Sequence, residues 1–183
     1  MNTSVLGLLL ERVTGKSLNQ IFIDRIAKPH KLDGLGYIKP KEVSLIAPFT
    51  GRGGALRQVI DGELDIYVGE VPMYSASNKL FLGGEGMLGT AKGYIQFMRL
   101  LFFNDKDIFL EKKTIEILSS KADIEDNDYG YNTGFGSYLT SKTHAYEKDI
   151  LRVGGYEKTG CWVDRKNKLI GTLFSQANET QDR

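Results

Sequence analysis

The stretch from Asp149 to Gln176, DILRVGGYEKTGCWVDRKNKLIGTLFSQ, leaves the chain few ways to fold. It holds three short apolar runs, Ile150–Val153, Cys161–Val163 and Leu169–Phe174. Gly154–Gly155 and Glu157–Gly160 separate the first run from the second, and Asp164–Lys168 separates the second from the third. Short runs of β-branched and aromatic residues, punctuated by glycine and polar residues, read as strands. Parallel neighbours need a crossover of a dozen or more residues, so gaps this short demand antiparallel pairing. The result is a three-stranded meander. A meander alone is marginal in water, so helices must cover one face. The expected class is therefore α+β, an antiparallel sheet with packed helices. Trp162 and Phe174, on adjacent strands, are expected to lie buried between meander and helices.

The helices come from upstream. Val5, Leu6, Leu9, Leu10 and Val13 recur at helical spacing behind a cap at Asn2, Thr3 or Ser4, and Gly15 is a stop. Ser17 caps a second helix, with Gln20 placed to complete a capping box; Leu18, Ile21, Phe22 and Ile26 form its apolar face and Pro29 ends it. The first helix is so apolar that it reads as one buried on several sides.

Residues 32–82 are rich in Gly and Pro and show no helical period. Leu35–Ile38, Leu64–Val68 and Lys79–Leu82 read as short strands, in the kind of irregular stretch that often walls a cleft. Thr90 caps a helix with Tyr94, Phe97, Met98, Leu101 and Phe102 on one face, stopped by Asn104–Lys106. Leu110–Ser120 is a shorter helix with Ile115 and Leu118 inward, and Tyr138–Thr140 begins a further hairpin into the meander. With no repeat, low-complexity tract or linker, residues 1–183 read as one domain.

Composition excludes several classes. A net charge of +1 with no basic block is not the footprint of a nucleic-acid surface. One cysteine, Cys161, rules out an internal disulfide and a multi-thiolate metal site. No apolar run is long enough for a membrane span. Neither a cofactor nor a metal is expected. Gly84-Glu85-Gly86-Met87-Leu88-Gly89 matches the dinucleotide fingerprint G-x-G-x-x-G, but no parallel strand follows its helix. It reads better as a Gly-rich turn packed closely against a helix start. The acidic loop Asp123, Glu125, Asp126, Asp128 lacks the spacing of an EF-hand and reads as solvated. His30 and His144 read as surface residues.

Several landmarks, taken in order, resemble one family. Asn2-Thr3-Ser4 and the helix ending Val13-Thr14-Gly15-Lys16-Ser17 resemble the segment after the Tyr-x-Asn box of class C β-lactamase-like proteins, which include D-Ala-D-Ala peptidases and related esterases. Ile26-Ala27-Lys28-Pro29, the Gly83–Ala91 turn, Tyr129–Phe135 and Gly154-Gly155 followed by Trp162-Val163-Asp164 resemble later landmarks in the same order. Lys158-Thr159-Gly160 matches the third box of penicillin-recognising serine enzymes literally. It falls in a turn, however, and the strand that carries the box ends here at Val153-Gly154-Gly155.

The resemblance implies acyl transfer: a serine attacks a carbonyl, a lysine or tyrosine takes the proton, and two amides hold the oxyanion. One amide would come from Tyr156, Asn2 would orient the substrate amide or the lysine, and Gly154 and Gly155 would let the backbone approach the acyl group. Val153 offers no charge for a substrate carboxylate, so the substrate implied is a small-molecule or peptide-like acyl compound, processed as by a peptidase or esterase. No serine in the chain is followed three residues later by lysine. The expectation is thus a C-terminal part of a β-lactamase/transpeptidase-like fold lacking the N-terminal strands and the nucleophile helix, and inactive alone. A non-catalytic binding module with the same half-fold is the alternative, and a nucleotide-binding protein built on Gly84–Gly89 the weakest. The family implies a bacterial envelope or periplasmic setting. It also implies an open sheet edge at Leu169–Ser175, available for self-association.

Overall fold

The computed structural model describes residues 2–39, 44, 49–50, 57–58, 81–84, 86–103, 109–120, 131–133, 139–141, 150–155 and 159–178. The architecture is α+β. The residues fall into two compact units, Met1–Thr50 with Ala55–Tyr94, and Gly51–Gly54 with Ile95–Arg183.

In the first unit, α1 (Asn2–Thr14) ends where the sequence places its stop: Gly15 takes φ +66°, a conformation glycine adopts without cost. α2 (Leu18–Phe22) begins at Ser17, whose Oγ accepts from the Gln20 amide at 3.2 Å. The expected capping box is only half formed. The Gln20 side chain reaches forward instead, its Nε2 donating to Asp24 Oδ1 at 2.8 Å. Lys16 holds the other oxygen of Asp24 at 2.7 Å, and these bonds keep the carboxyl below its usual range. α2 continues as a π-helical turn, Ile23–Ala27. The buried residues Leu18, Phe22, Tyr37 and Phe81 form the core, with Ile26, Ala27, Leu35 and Ile38 packed against them. The Tyr37 ring meets Phe22 edge-on at 6.4 Å and Phe81 at 5.6 Å. Burial, with the charge of Glu11 nearby, pushes the Tyr37 hydroxyl above its ordinary pKa.

Strands here are short. β1 (Leu35–Gly36) pairs antiparallel with β4 (Leu88–Gly89), and β2 (Phe49–Thr50) with β3 (Arg57–Gln58). α3 (Ala91–Phe102) starts as expected at Thr90, whose Oγ1 accepts from the Gly93 amide at 3.0 Å. Gly93 is buried in its first turn, and Met98 and Leu101 are buried in the part of α3 that belongs to the second unit.

The second unit contains α4 (Lys112–Ser119) and a five-stranded sheet. Its strands are β5 (Tyr131–Thr133), β6 (Leu139–Ser141), β7 (Ile150–Gly154), β8 (Gly160–Asp164) and β9 (Leu169–Leu173); β10 (Ala177–Asn178) follows in the chain and is not part of this sheet. The sheet order is β5-β6-β7-β8-β9, antiparallel at every step, so the expected meander is its last three strands. The β8–β9 turn is held by Asp164, whose two oxygens accept from the amide and side chain of Asn167 at 2.9 and 2.7 Å.

Alternation along the strands separates two faces. Leu151 lies opposite Val163 and Val163 opposite Ile170; Leu151 and Val163 are almost completely buried. Cys161 shares that face, and burial pushes its thiol up to about 11. Trp162 lies on the other face, and the expectation that it is core is overturned. It is 41% exposed, and its ring lies over Gly171, its cross-strand partner. The run Cys161–Val163 is apolar throughout, so composition could not tell which face each residue takes. Phe174 lies just beyond β9 and is half-buried. Expected features at 64–68, 79–80, 104–106 and 123–128, and at His144, lie outside the described residues.

Candidate functional site

Three of the residues singled out by sequence come together at the end of β7. Val153 pairs with Cys161 and is half-buried; Gly154 pairs with Gly160; Gly155 follows, its amide donating to the Thr159 carbonyl at 2.8 Å to close the turn into β8. Both glycines are exposed. Tyr156 and Lys158 lie outside the described residues.

What these glycines do follows from what they do not do. A Cβ on Gly154 would stand 4.0 Å from the Thr159 carbonyl oxygen, and one on Gly155 would stand 3.7 Å from it, ordinary van der Waals contact. Neither residue has a positive φ. Other glycines here are fixed by packing. A Cβ on Gly83 would overlap the carbonyl oxygen of Thr3, one on Gly93 that of Asp33, and one on Gly171 the Trp162 ring. Among the described residues nothing gives Gly154 or Gly155 such a reason, and both leave the main chain without a side chain at an exposed strand end. Bare backbone of this kind suits close approach by a ligand.

Two threonines that sequence reasoning did not assign hold this strand end in place. Thr159 Oγ1 donates to the Ser175 carbonyl at 3.1 Å, and Thr172 Oγ1 donates to the Gly160 carbonyl at 3.0 Å. Both bonds tie the β7–β8 turn to β9 and its continuation. Within Lys158-Thr159-Gly160, then, the threonine acts as a tie at the mouth of β8. A threonine facing a neighbouring strand was the available signal.

Asn2, the remaining candidate, is the first residue of α1 and belongs to the first unit. The next residues, Thr3 and Ser4, sit against the Gly83–Gly84 turn: a Cβ on Gly84 would stand 2.5 Å from Thr3 Oγ1. The Gly-rich motif is thus a close-packing turn. The helix start it meets is that of α1, although the sequence pointed to the helix that follows the motif. β4, inside the motif, pairs antiparallel with β1, not in the parallel βαβ unit of a dinucleotide fold. Cys161 is buried and its thiol stays protonated at neutral pH, which removes it as a nucleophile. Among the described residues, no group of three or more His, Cys, Asp or Glu is placed to hold a metal, and no helix is long and apolar enough to cross a membrane.

By sequence, residues 1–183 match the beta-lactamase family. No protein of curated function matches the chain by sequence. Among solved structures it is similar to EstCE1, described as a hydrolase with promiscuous acyltransferase activity: 20% identity, TM-score 0.75, over 95% of this chain and 49% of that one. It is similar to the simvastatin synthase LovD of Aspergillus terreus, at 18% identity and TM-score 0.72, over 98% of this chain and 49% of that one. It is also similar to an octameric penicillin-binding protein homologue from Pyrococcus abyssi, at 14% identity and TM-score 0.67, over 93% of this chain and 36% of that one. The chain therefore spans about half the length of the first of these structures.

Proposed function

The chain belongs to the beta-lactamase family, a family of serine hydrolases, and on that footing we propose that it supplies one side of an acyl-transfer site acting on an ester or amide in the manner of a peptidase or esterase. The observation that supports this is the exposed Gly154–Gly155 strand end, whose glycines neither packing among the described residues nor backbone strain requires. An extended acyl substrate can lie along main chain that carries no side chains. The amide of Tyr156 is one donor to the oxyanion, and a preorganised donor of this kind acts on charge that develops only in the transition state. Asn2 orients the substrate amide or the base. Val153, where a β-lactamase would want a cation for the substrate carboxylate, carries no charge, which favours esters and simple amides.

The nucleophile and its base are assigned to Ser-x-x-Lys, which these 183 residues do not contain. By itself the chain is expected to form no acyl-enzyme. Incubation with a fluorescent fluorophosphonate or penicillin, read by intact mass, checks this; one equivalent of label on any serine overturns it. The absence of that pair also favours a second reading, a non-catalytic module that binds acyl compounds. Saturable binding of an N-acyl-D-alanine peptide by the chain, without turnover, would support it.

The glycine argument carries its own test. Gly154→Ala and Gly155→Ala should each change unfolding free energy by less than about 1 kcal/mol, as surface substitutions free of clash do. A loss above about 2 kcal/mol in urea titration would mean that packing does demand these glycines, and the support for an open acyl site would go with it.

A further inference from the structure

The face of the β8–β9 hairpin that carries Trp162 is apolar along its length. Trp162 lies opposite Gly171, so Leu169, Gly171 and Leu173 share its face of the sheet. Leu169 is 53% exposed and Leu173 67%. The two leucines stand about 13 Å apart along β9, and the glycine between them has no side chain. The Trp162 ring lies over that glycine and fills the gap. Leucine, indole and leucine thus make one strip open to water, where the solvated face of an antiparallel sheet normally carries polar residues. The strip ends in charge. The turn into β9 reads Asp164-Arg165-Lys166-Asn167-Lys168, so the segment from Gly160 to Leu173 holds three cations against one acid. Among the described residues none of these three cations is in an ion pair. Asp164 is occupied, because Asn167 donates to both its oxygens, and Lys168 is held at φ +55°. The turn is therefore a fixed frame that presents its cations at one end of the strip. Arg152, cross-strand from Trp162 on β7, adds a cation on the other flank. The whole chain carries a net charge of only +1, so this concentration is local.

We infer that this face of the β8–β9 hairpin docks on a bilayer surface that carries anionic phospholipid. Tryptophan settles at the boundary between headgroups and acyl chains, aliphatic side chains enter just below it, and lysine and arginine gain from negative headgroups. The strip and its turn offer those three features side by side: Trp162 for the boundary, Leu169 and Leu173 for the acyl side, and Arg165, Lys166 and Lys168 for the phosphates. Charge and shape disfavour other occupants. A nucleic acid would meet the cations but leave both leucines without a partner. A second copy would bring the same three cations and, in Asp164, an acid already engaged by Asn167. The basic turn lies at the opposite end of β8 from Gly154–Gly155, and the inference stands apart from the acyl-transfer reading.

Trp162 is the only tryptophan of the chain, so its emission reports on this face directly. The test adds the 183-residue chain to vesicles of equal parts phosphatidylglycerol and phosphatidylcholine. The chain should co-sediment with them, with a blue shift of its emission, and added salt should weaken the binding. Vesicles of phosphatidylcholine alone should bind at least about 10-fold more weakly. Lys166→Glu with Lys168→Glu should lower affinity for the anionic vesicles about 30-fold, and Lys166→Arg with Lys168→Arg should preserve it. Leu173→Gln should lower it roughly 5-fold. All three positions are exposed, so these variants keep the melting temperature of the chain. Absence of binding, or binding indifferent to lipid charge, overturns the inference. α1 supplies the internal control. Its apolar sequence reads as a buried helix, yet Val5, Leu6, Leu9 and Val13 are exposed, while Gly7 packs on Leu18 and Glu11 accepts from the Leu18 amide. Vesicle binding that leaves Trp162 emission unmoved, or that survives the hairpin variants, places the lipid on a surface such as α1 and overturns the inference. So does the same blue shift with poly-glutamate in place of vesicles, which makes an acidic chain the occupant. So does a dimer that buries Trp162 without lipid, seen by light scattering.

Discussion

Gly93→Ala should destabilise the chain by about 2–3 kcal/mol, the range for forcing an extra carbon into a packed site. Helix propensity alone gives the opposite sign, because alanine is favoured over glycine in a helix by about 1 kcal/mol. Geometry decides between the two. Gly93 sits buried in the first turn of α3, and a Cβ there would run into the carbonyl oxygen of Asp33 and stand 3.0 Å from that of Gly34. These are backbone atoms, which cannot swing aside as a side-chain tip can. The Gly34 carbonyl also accepts the Thr90 amide at 2.8 Å, at the residue that caps α3. Gly34 itself has φ +73°, so the segment is already in a conformation with little room to adjust. Moving the helix away would break the Thr90–Gly34 bond, and keeping that bond retains the clash. Urea unfolding of the wild type, Gly93→Ala and a control, Gly36→Ala, measures the effect; among the described residues nothing lies within 4 Å of a Cβ at Gly36. Equal or greater stability of Gly93→Ala would show that α3 is free to shift against Asp33–Gly34.

The residues that sequence could read were those whose structure is decided locally. Ser17, Thr90 and Gly15 act as caps and stop because a hydroxyl at a helix start, or a glycine after its end, needs only its own neighbours. The meander was legible for a similar reason: gaps of a few residues leave only antiparallel pairing. What was not legible depended on partners far away in sequence. α1 is apolar almost all round, and nothing in its spacing says that Gly7 and Glu11, not the leucines, face the chain. The close approach of Gly83 and Gly84 to Thr3 joins segments some eighty residues apart. At the candidate site, Val153, Gly154 and Gly155 were found through the family landmark. That no described residue crowds their glycines emerges only from the pairing of β7 with β8. The face of Trp162 was within reach. A turn closing between Asp164 and Leu169 places Trp162 opposite Gly171, and an aromatic ring laid across a strand glycine is a recurrent outer-face pairing.

That face assignment leads to the second large effect. Val163 and Leu151 are cross-strand partners with almost no exposed surface, so truncating either leaves a cavity with little room to collapse. Leu151→Ala should cost about 3 kcal/mol and Val163→Ala about 2 kcal/mol. As touching neighbours they should couple, the double variant departing from the sum by at least about 0.5 kcal/mol. Trp162, one residue from Val163 and far larger, should matter less. Its ring is bounded by water on one side and by Gly171 on the other, so Trp162→Ala loses partial burial and creates no closed cavity. About 1–2 kcal/mol is expected, below the cost at Leu151 although more atoms are removed. The order of these values tests the register itself, because a slip of one residue exchanges every inward and outward position of β8. Chemical denaturation of the three single variants and the Leu151–Val163 pair provides the measurement. A larger loss at Trp162 than at Leu151 would put the tryptophan inside, and would move Val163 and Cys161 to the surface with it.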